Sequence, residues 1–138
     1  MARVELEGWP GARREDAARS SRLADAEAWF ESSLASDPDN PTASFRMGLI
    51  ALDRLEFVDA CAYLENAWMN AERHRGVRKA LGYCYTWLGR LEQAVVTLAP
   101  IPEAARELRV QARVWRGRGR PDLAQWATEV STRLEASG

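Results

Sequence analysis

The sequence predicts an all-α protein, a right-handed α-solenoid of about three to four helix-turn-helix repeats. Three observations carry that expectation. Apolar residues recur at three- and four-residue spacings along most of the chain, and no segment alternates apolar and polar residues as a half-buried strand would. Proline and glycine fall between these stretches, where one helix would stop and the next begin. The chain also matches itself at a displacement of 34 residues.

The first helical stretch, SRLADAEAWFESSLAS, places Leu23, Ala26, Phe30 and Leu34 on one face. It stops at Asp37-Pro38-Asp39-Asn40-Pro41. There Asn40 suits an N-cap, and Pro41 suits the first helical position, where its missing N–H costs nothing. A helix over about 41–53 follows, then one over about 57–71 carrying Ala60, Leu64, Ala67 and Trp68. The pattern next gives a helix at about 75–88, stopped before Gly89, and a short one at about 91–99, ended by Pro100. Pro102 can begin the next helix and Pro121 the last, whose stripe is Leu123, Trp126, Ala127, Val130 and Leu134. Residues 1–20 are expected to form a separate N-terminal segment with a ragged or degenerate first helix, and residues 21–138 the repeat domain.

Self-comparison sets the register. ASFRMGLIALDRLEFVDACAYLENA aligns with VRKALGYCYTWLGRLEQAVVTLAPI, so that Met47-Gly48 falls on Leu81-Gly82, Ala51 on Tyr85, Ala60 on Ala94 and Leu64 on Leu98. A further shift of 30 residues takes Tyr85 to Trp115, Gly89 to Gly119 and Ala94 to Ala124. The recurring MGLIA…A…L, LGYCY…G…A…L and W…G…A resemble the tetratricopeptide repeat family, over about residues 20–135. The resemblance implies helix pairs whose first helices line a concave, partner-binding groove. Departures are Leu55 where the family prefers a turn glycine, Pro100 and the 30-residue interval, Thr128 at an aromatic position, and no capping helix after Leu134. Arg116-Gly117-Arg118-Gly119-Arg120-Pro121 has the composition of a minor-groove hook. Its register instead reads as a turn, with Gly119 ending one helix and Pro121 opening the next.

At 138 residues the chain fits one domain with its own core, and 46% hydrophobic and 28% charged residues place it in the ordinary globular class. No run of about 18 apolar residues is present, so membrane insertion is not expected. The first ten residues lack the apolar core of a secretion signal, and a cytoplasmic location is expected. Cys61 and Cys84, without Cys-x-x-Cys spacing, read as small buried hydrophobes. Charge is lopsided, −6 over residues 1–74 and +5 over 75–138, an asymmetry that can steer a charged partner or order self-association. The arginine-rich composition points weakly to a bacterial source.

No catalytic constellation is recognisable, and neither an enzyme activity, a cofactor nor a metal is expected. His74, the sole histidine, stands beside Arg73 and Arg75 at a helix end and suits a capping role. The chemistry that remains is recognition. By the family's geometry the groove would be lined by Phe45, Leu49 and Leu52, then by Lys79, Tyr83, Thr86 and Trp87. Beyond them come Arg106, Arg109, Arg113 and Arg116, spaced i, i+3, i+7 and i+10 as one stripe. The expected function is a protein-interaction scaffold whose groove has an aromatic centre and an arginine-rich end, fitting an acidic or amphipathic partner segment. Some members of the family grip an acidic C-terminus through Lys, Arg and Asn. Lys79 matches one element of that clamp, but Tyr83 stands where the Asn would be. Alternatives are a module binding RNA or another polyanion, against which a pI near 5.9 weighs, and a self-associating structural subunit forming homo-oligomers.

Overall fold

The structure, a computed structural model, describes residues 10–71 and 74–137. Among them are seven helices and no strand: α1 (Pro10–Ser36), α2 (Pro41–Asp53), α3 (Phe57–Asn70), α4 (Arg75–Trp87), α5 (Leu91–Leu98), α6 (Ala104–Gly117) and α7 (Pro121–Ser137). The fold is an all-α helical repeat. The main pairings are the hairpins α2–α3, α4–α5 and α6–α7, with α1 packed on α2, α3 on α4, and α7 on both α4 and α5. None of the described helices is long and apolar enough to cross a membrane.

Local chemistry sets the helix starts. Asn40 caps α2, its side-chain oxygen accepting from the Ala43 N–H at 3.1 Å, and Pro41 occupies the first turn. His74 caps α4 in the same way, its Nδ1 accepting from the Val77 N–H at 3.2 Å. The lone histidine is thus a helix cap; its neighbour Arg73 lies outside the described residues. Pro102 sits just ahead of α6, which begins at Ala104 after Glu103. Pro100 leaves α5 only eight residues long.

The turns inside the three hairpins are one structure used three times. Each passes through a left-handed residue, Leu55 (φ 61°), Gly89 (φ 74°) and Gly119 (φ 73°). In each, the following N–H reaches back over the helix end: Glu56 to the Ala51 carbonyl, Arg90 to Tyr85 and Arg120 to Trp115, all at 2.9 Å. That is the closure by which helix C-termini satisfy their last carbonyls. The acceptors Ala51, Tyr85 and Trp115 are the three residues that sequence register superimposes. The arginine-glycine run is therefore a helix-to-helix turn, closed further by an ion pair between Arg120 and Asp122 at 3.1 Å.

The core is built from small residues where helices cross and leucines that fill the gaps. Ala60, Ala94 and Ala124 are buried at equivalent places in α3, α5 and α7. Gly48 and Gly82 let α2 and α4 approach their partners: a Cβ on Gly48 would lie 2.7 Å from Leu64, and one on Gly82 would lie 2.4 Å from Leu98. Both leucines are fully buried. Cys61 and Cys84 are buried free thiols. Cys84 donates to the Phe57 carbonyl at 3.1 Å and Cys61 to Glu65 at 3.4 Å.

Candidate functional site

The first helices of the three hairpins, α2, α4 and α6, bound a groove of about 470 Å³. Leu52 comes from the end of α2, and Tyr83 and Trp87 from one face of α4. Glu107, Val110 and Gln111 come from α6, whose end adds Trp115 and Arg118. Leu55, in the turn between α2 and α3, and Phe57, at the start of α3, line it too. Its centre is aromatic: Trp87 meets Trp115 edge-on with ring centroids 5.6 Å apart, and Phe57 meets Trp115 edge-on at 6.5 Å. Part of the apolar surface nearby is open to solvent, since Val110 is 51% and Leu55 42% exposed. Val114, one turn beyond Val110 on α6, is exposed as well.

A charge network joins α4 to α6 next to this centre. Lys79 pairs with Glu107 at 2.7 Å and Glu103 at 3.4 Å, and Arg75 pairs with Glu103. The Tyr83 hydroxyl donates to Glu107 at 2.5 Å. The Arg75 hydrogen bond, with help from the backbone and Lys79, holds the Glu103 carboxyl down to about 2. Burial works to raise Glu107, but the bonds from Lys79 and Tyr83 outweigh it and leave its carboxyl below the ordinary value. Burial, together with the neighbouring Glu107 carboxylate, pushes the Tyr83 hydroxyl well up, so it keeps the proton it donates to Glu107.

Of the eleven residues expected from sequence to line the groove, four do so: Leu52, Tyr83, Trp87 and Arg106; Thr86 is instead fully buried, its hydroxyl donating to the Gly82 carbonyl at 2.9 Å. Lys79 stands beside it, engaged by the two glutamates. Leu49 lines a separate apolar crevice between α1 and α2, with Leu23, Ala26 and Phe30. Phe45 packs on His74, ring centroids 5.3 Å apart. The arginine stripe runs down α6 and all four members are exposed. Arg109 is paired with Glu135 of α7 at 2.7 Å, and Arg116 donates to Thr128 of α7 at 3.4 Å. Sequence reasoning passed over Glu107, Val110, Gln111 and Arg118. Val110 and Val114, four residues apart on the polar side of α6, were the available signal. Among the described residues no group of His, Cys, Asp and Glu is gathered as a metal would require.

The family model for the tetratricopeptide repeat matches residues 51–119, half of the chain. No curated protein matches the chain in sequence. Among solved structures, MamA MSR-1 C2 is similar with a TM-score of 0.55 over 87% of this chain and 71% of that one, at 20% identity. At that identity the likeness is one of fold.

Proposed function

The chain belongs to the tetratricopeptide repeat family, and from that premise we propose that it is a cytoplasmic scaffold holding a partner protein's segment in the groove between α2, α4 and α6. Protein–protein interaction is the general role of such repeats. The finer reading is that Leu52, Tyr83 and Trp87 form the apolar and aromatic centre, with Arg106 at one rim. Arg109, Arg113 and Arg116 extend that rim as a cationic edge, Lys79 borders the centre from α4, and Phe45 and Leu49 extend the apolar surface along α2. Residues 21–138 act as the repeat domain. One observation carries the reading: solvent-exposed Leu55 and Val110 line, with a buried aromatic centre, a groove walled by three different helices, and exposed Val114 stands one turn further along α6. Exposed apolar surface rimmed by charge is the usual form of a docking site. Aromatic anchors are where binding energy concentrates.

The test compares capture from a nuclease-treated lysate by wild type, by Val110→Glu with Val114→Glu, and by the variant carrying Glu at 106, 109, 113 and 116. A partner held by wild type and released by the valine variant supports the groove. Its release by the arginine variant as well supports the cationic edge. Equal capture by all three, with equal helicity, refutes the groove reading.

A further inference from the structure

Trp115 presents an anomaly that packing does not absorb. Its ring is 4% exposed, yet its indole Nε1 has no hydrogen-bond partner among the described residues. A buried N–H without an acceptor is rare, because the bond to water it gives up on folding is not replaced. Repeat register shows what is missing. Tyr85 holds the same position one unit earlier, and its hydroxyl donates to Glu65 at 2.9 Å. The residue in the register of Glu65 one unit later is Ala99, which has no side-chain acceptor.

Two cations adjoin the same place. The Arg118 guanidinium lies over the Trp115 ring at 5.5 Å, and Arg106 and Arg118 both line the groove. Among the described residues neither has a carboxylate partner, whereas Lys79, Arg75, Arg109 and Arg120 all do. Glu107, on the same helix, is already taken by Lys79 and Tyr83. The α6 side of the groove is therefore lined by Trp115, whose buried indole N–H has no acceptor among the described residues, and by two guanidinium groups that no carboxylate among them answers.

We propose that this end of the groove is an acceptor site for an Asp or Glu side chain of an extended partner segment, its carboxylate taking the Trp115 N–H and pairing with Arg118, while Arg106, more than two turns back along α6, adds only to the positive field. The proposal rests on the groove reading above and adds the partner's chemistry to it. Since the N–H is closed to bulk water, the carboxylate reaches it as Arg118 leaves the ring and pairs with the incoming charge. A neighbouring apolar side chain of the segment then meets Val110 and Leu55. A carboxylate suits the site because charge-assisted bonds to guanidinium and indole N–H are strongest where water is excluded. Asp53 on the α2 wall disfavours a second acid there, which fixes the direction of the segment.

The experiment selects peptides from a random displayed library on the full chain. Val110→Glu with Val114→Glu serves as the groove-blocked control. Selected peptides should need one Asp or Glu, and its change to Asn or Gln should weaken binding roughly tenfold or more. That loss should shrink to within about twofold on Arg118→Gln, an exposed change that spares folding, and on Trp115→Phe. On binding, the Trp115 indole proton should move downfield in the nitrogen-edited spectrum. Groove-dependent peptides with no required acid, or with an acid whose loss costs as much on Arg118→Gln as on wild type, overturn the acceptor site and leave the groove standing. A selection with no groove-dependent peptide refutes the groove reading, and the acceptor site with it. Displacement of the peptides by a single-stranded oligoribonucleotide, with the same Arg118 dependence, would overturn the peptide carboxylate in favour of a nucleic-acid phosphate.

Discussion

Adding a methyl group at Gly82 should test the packing rule on which the array is built. A Cβ there would stand 2.4 Å from both Cγ and Cδ2 of Leu98, whereas carbon atoms rest about 3.5–4.0 Å apart. Leu98 is wholly buried, so any retreat presses it against the surrounding core. Overpacking of this kind costs about 1–3 kcal/mol, and alanine's helix preference over glycine returns about 1 kcal/mol. Gly82→Ala is therefore expected to destabilise by up to about 2 kcal/mol. Leu98→Ala alone should cost about 2–5 kcal/mol, and on that background the obstruction is gone. There Gly82→Ala should stabilise by up to about 1 kcal/mol, so the sign of the substitution inverts across the cycle. Urea unfolding followed by far-ultraviolet circular dichroism reads all four proteins. A stabilising Gly82→Ala in the wild-type background refutes the close-approach argument. A cost that persists in the Leu98→Ala background places the obstacle elsewhere.

Three further outcomes follow from the turns and the charge network, beside the capture and selection experiments above. Leu55→Gly relieves a left-handed leucine and should raise stability by up to about 1 kcal/mol. Gly119→Ala, where a Cβ meets nothing within 4 Å, should lower it by about 1–2 kcal/mol through backbone conformation alone; urea midpoints moving in the same direction would contradict this. Glu103 is held from its ordinary value near 4.5 down to about 2, so the folded state binds its proton more weakly than the unfolded one. Its stabilisation is complete above about pH 4.5 and is lost as pH falls towards 2. Glu103→Gln should flatten unfolding midpoints over that window, and an unchanged acid limb would show the network to be idle.

The repeat was legible because its marks are local. Proline, glycine and asparagine act on their own backbone, so Asn40, Pro41, Gly89, Gly119 and Pro121 announce helix boundaries without knowledge of the partners. Leu55 shows that a register match can carry a conformation the residue type would not suggest. It stands in the glycine position and takes the glycine's left-handed φ of 61°. The groove was legible only in part, because periodicity gives the stripe on a helix but not its phase against its neighbours. Arg106, Arg109, Arg113 and Arg116 are a true stripe. Yet Arg109 and Arg116 meet Glu135 and Thr128, so some of their mutual repulsion is answered from α7 within the fold. Val110 and Arg118, a short rotation away, line the groove instead. Which helix would pack on that flank is a tertiary fact that no window of sequence carries.

The distribution of burial gives the array a direction. Among the described residues every buried side chain lies between Ala43 and Ser131, and residues 21–36 of α1 contribute none. In a chain of units stabilised mainly by nearest neighbours, opening begins where the interface is weakest and proceeds from there. This protein should therefore come apart like a zip with one loose end. The amides of α1 exchange with solvent first, while those of α4 and α6, which hold both walls of the aromatic centre, exchange last. The groove, walled by α2, α4 and α6, would then keep its form while α1 lifts and settles.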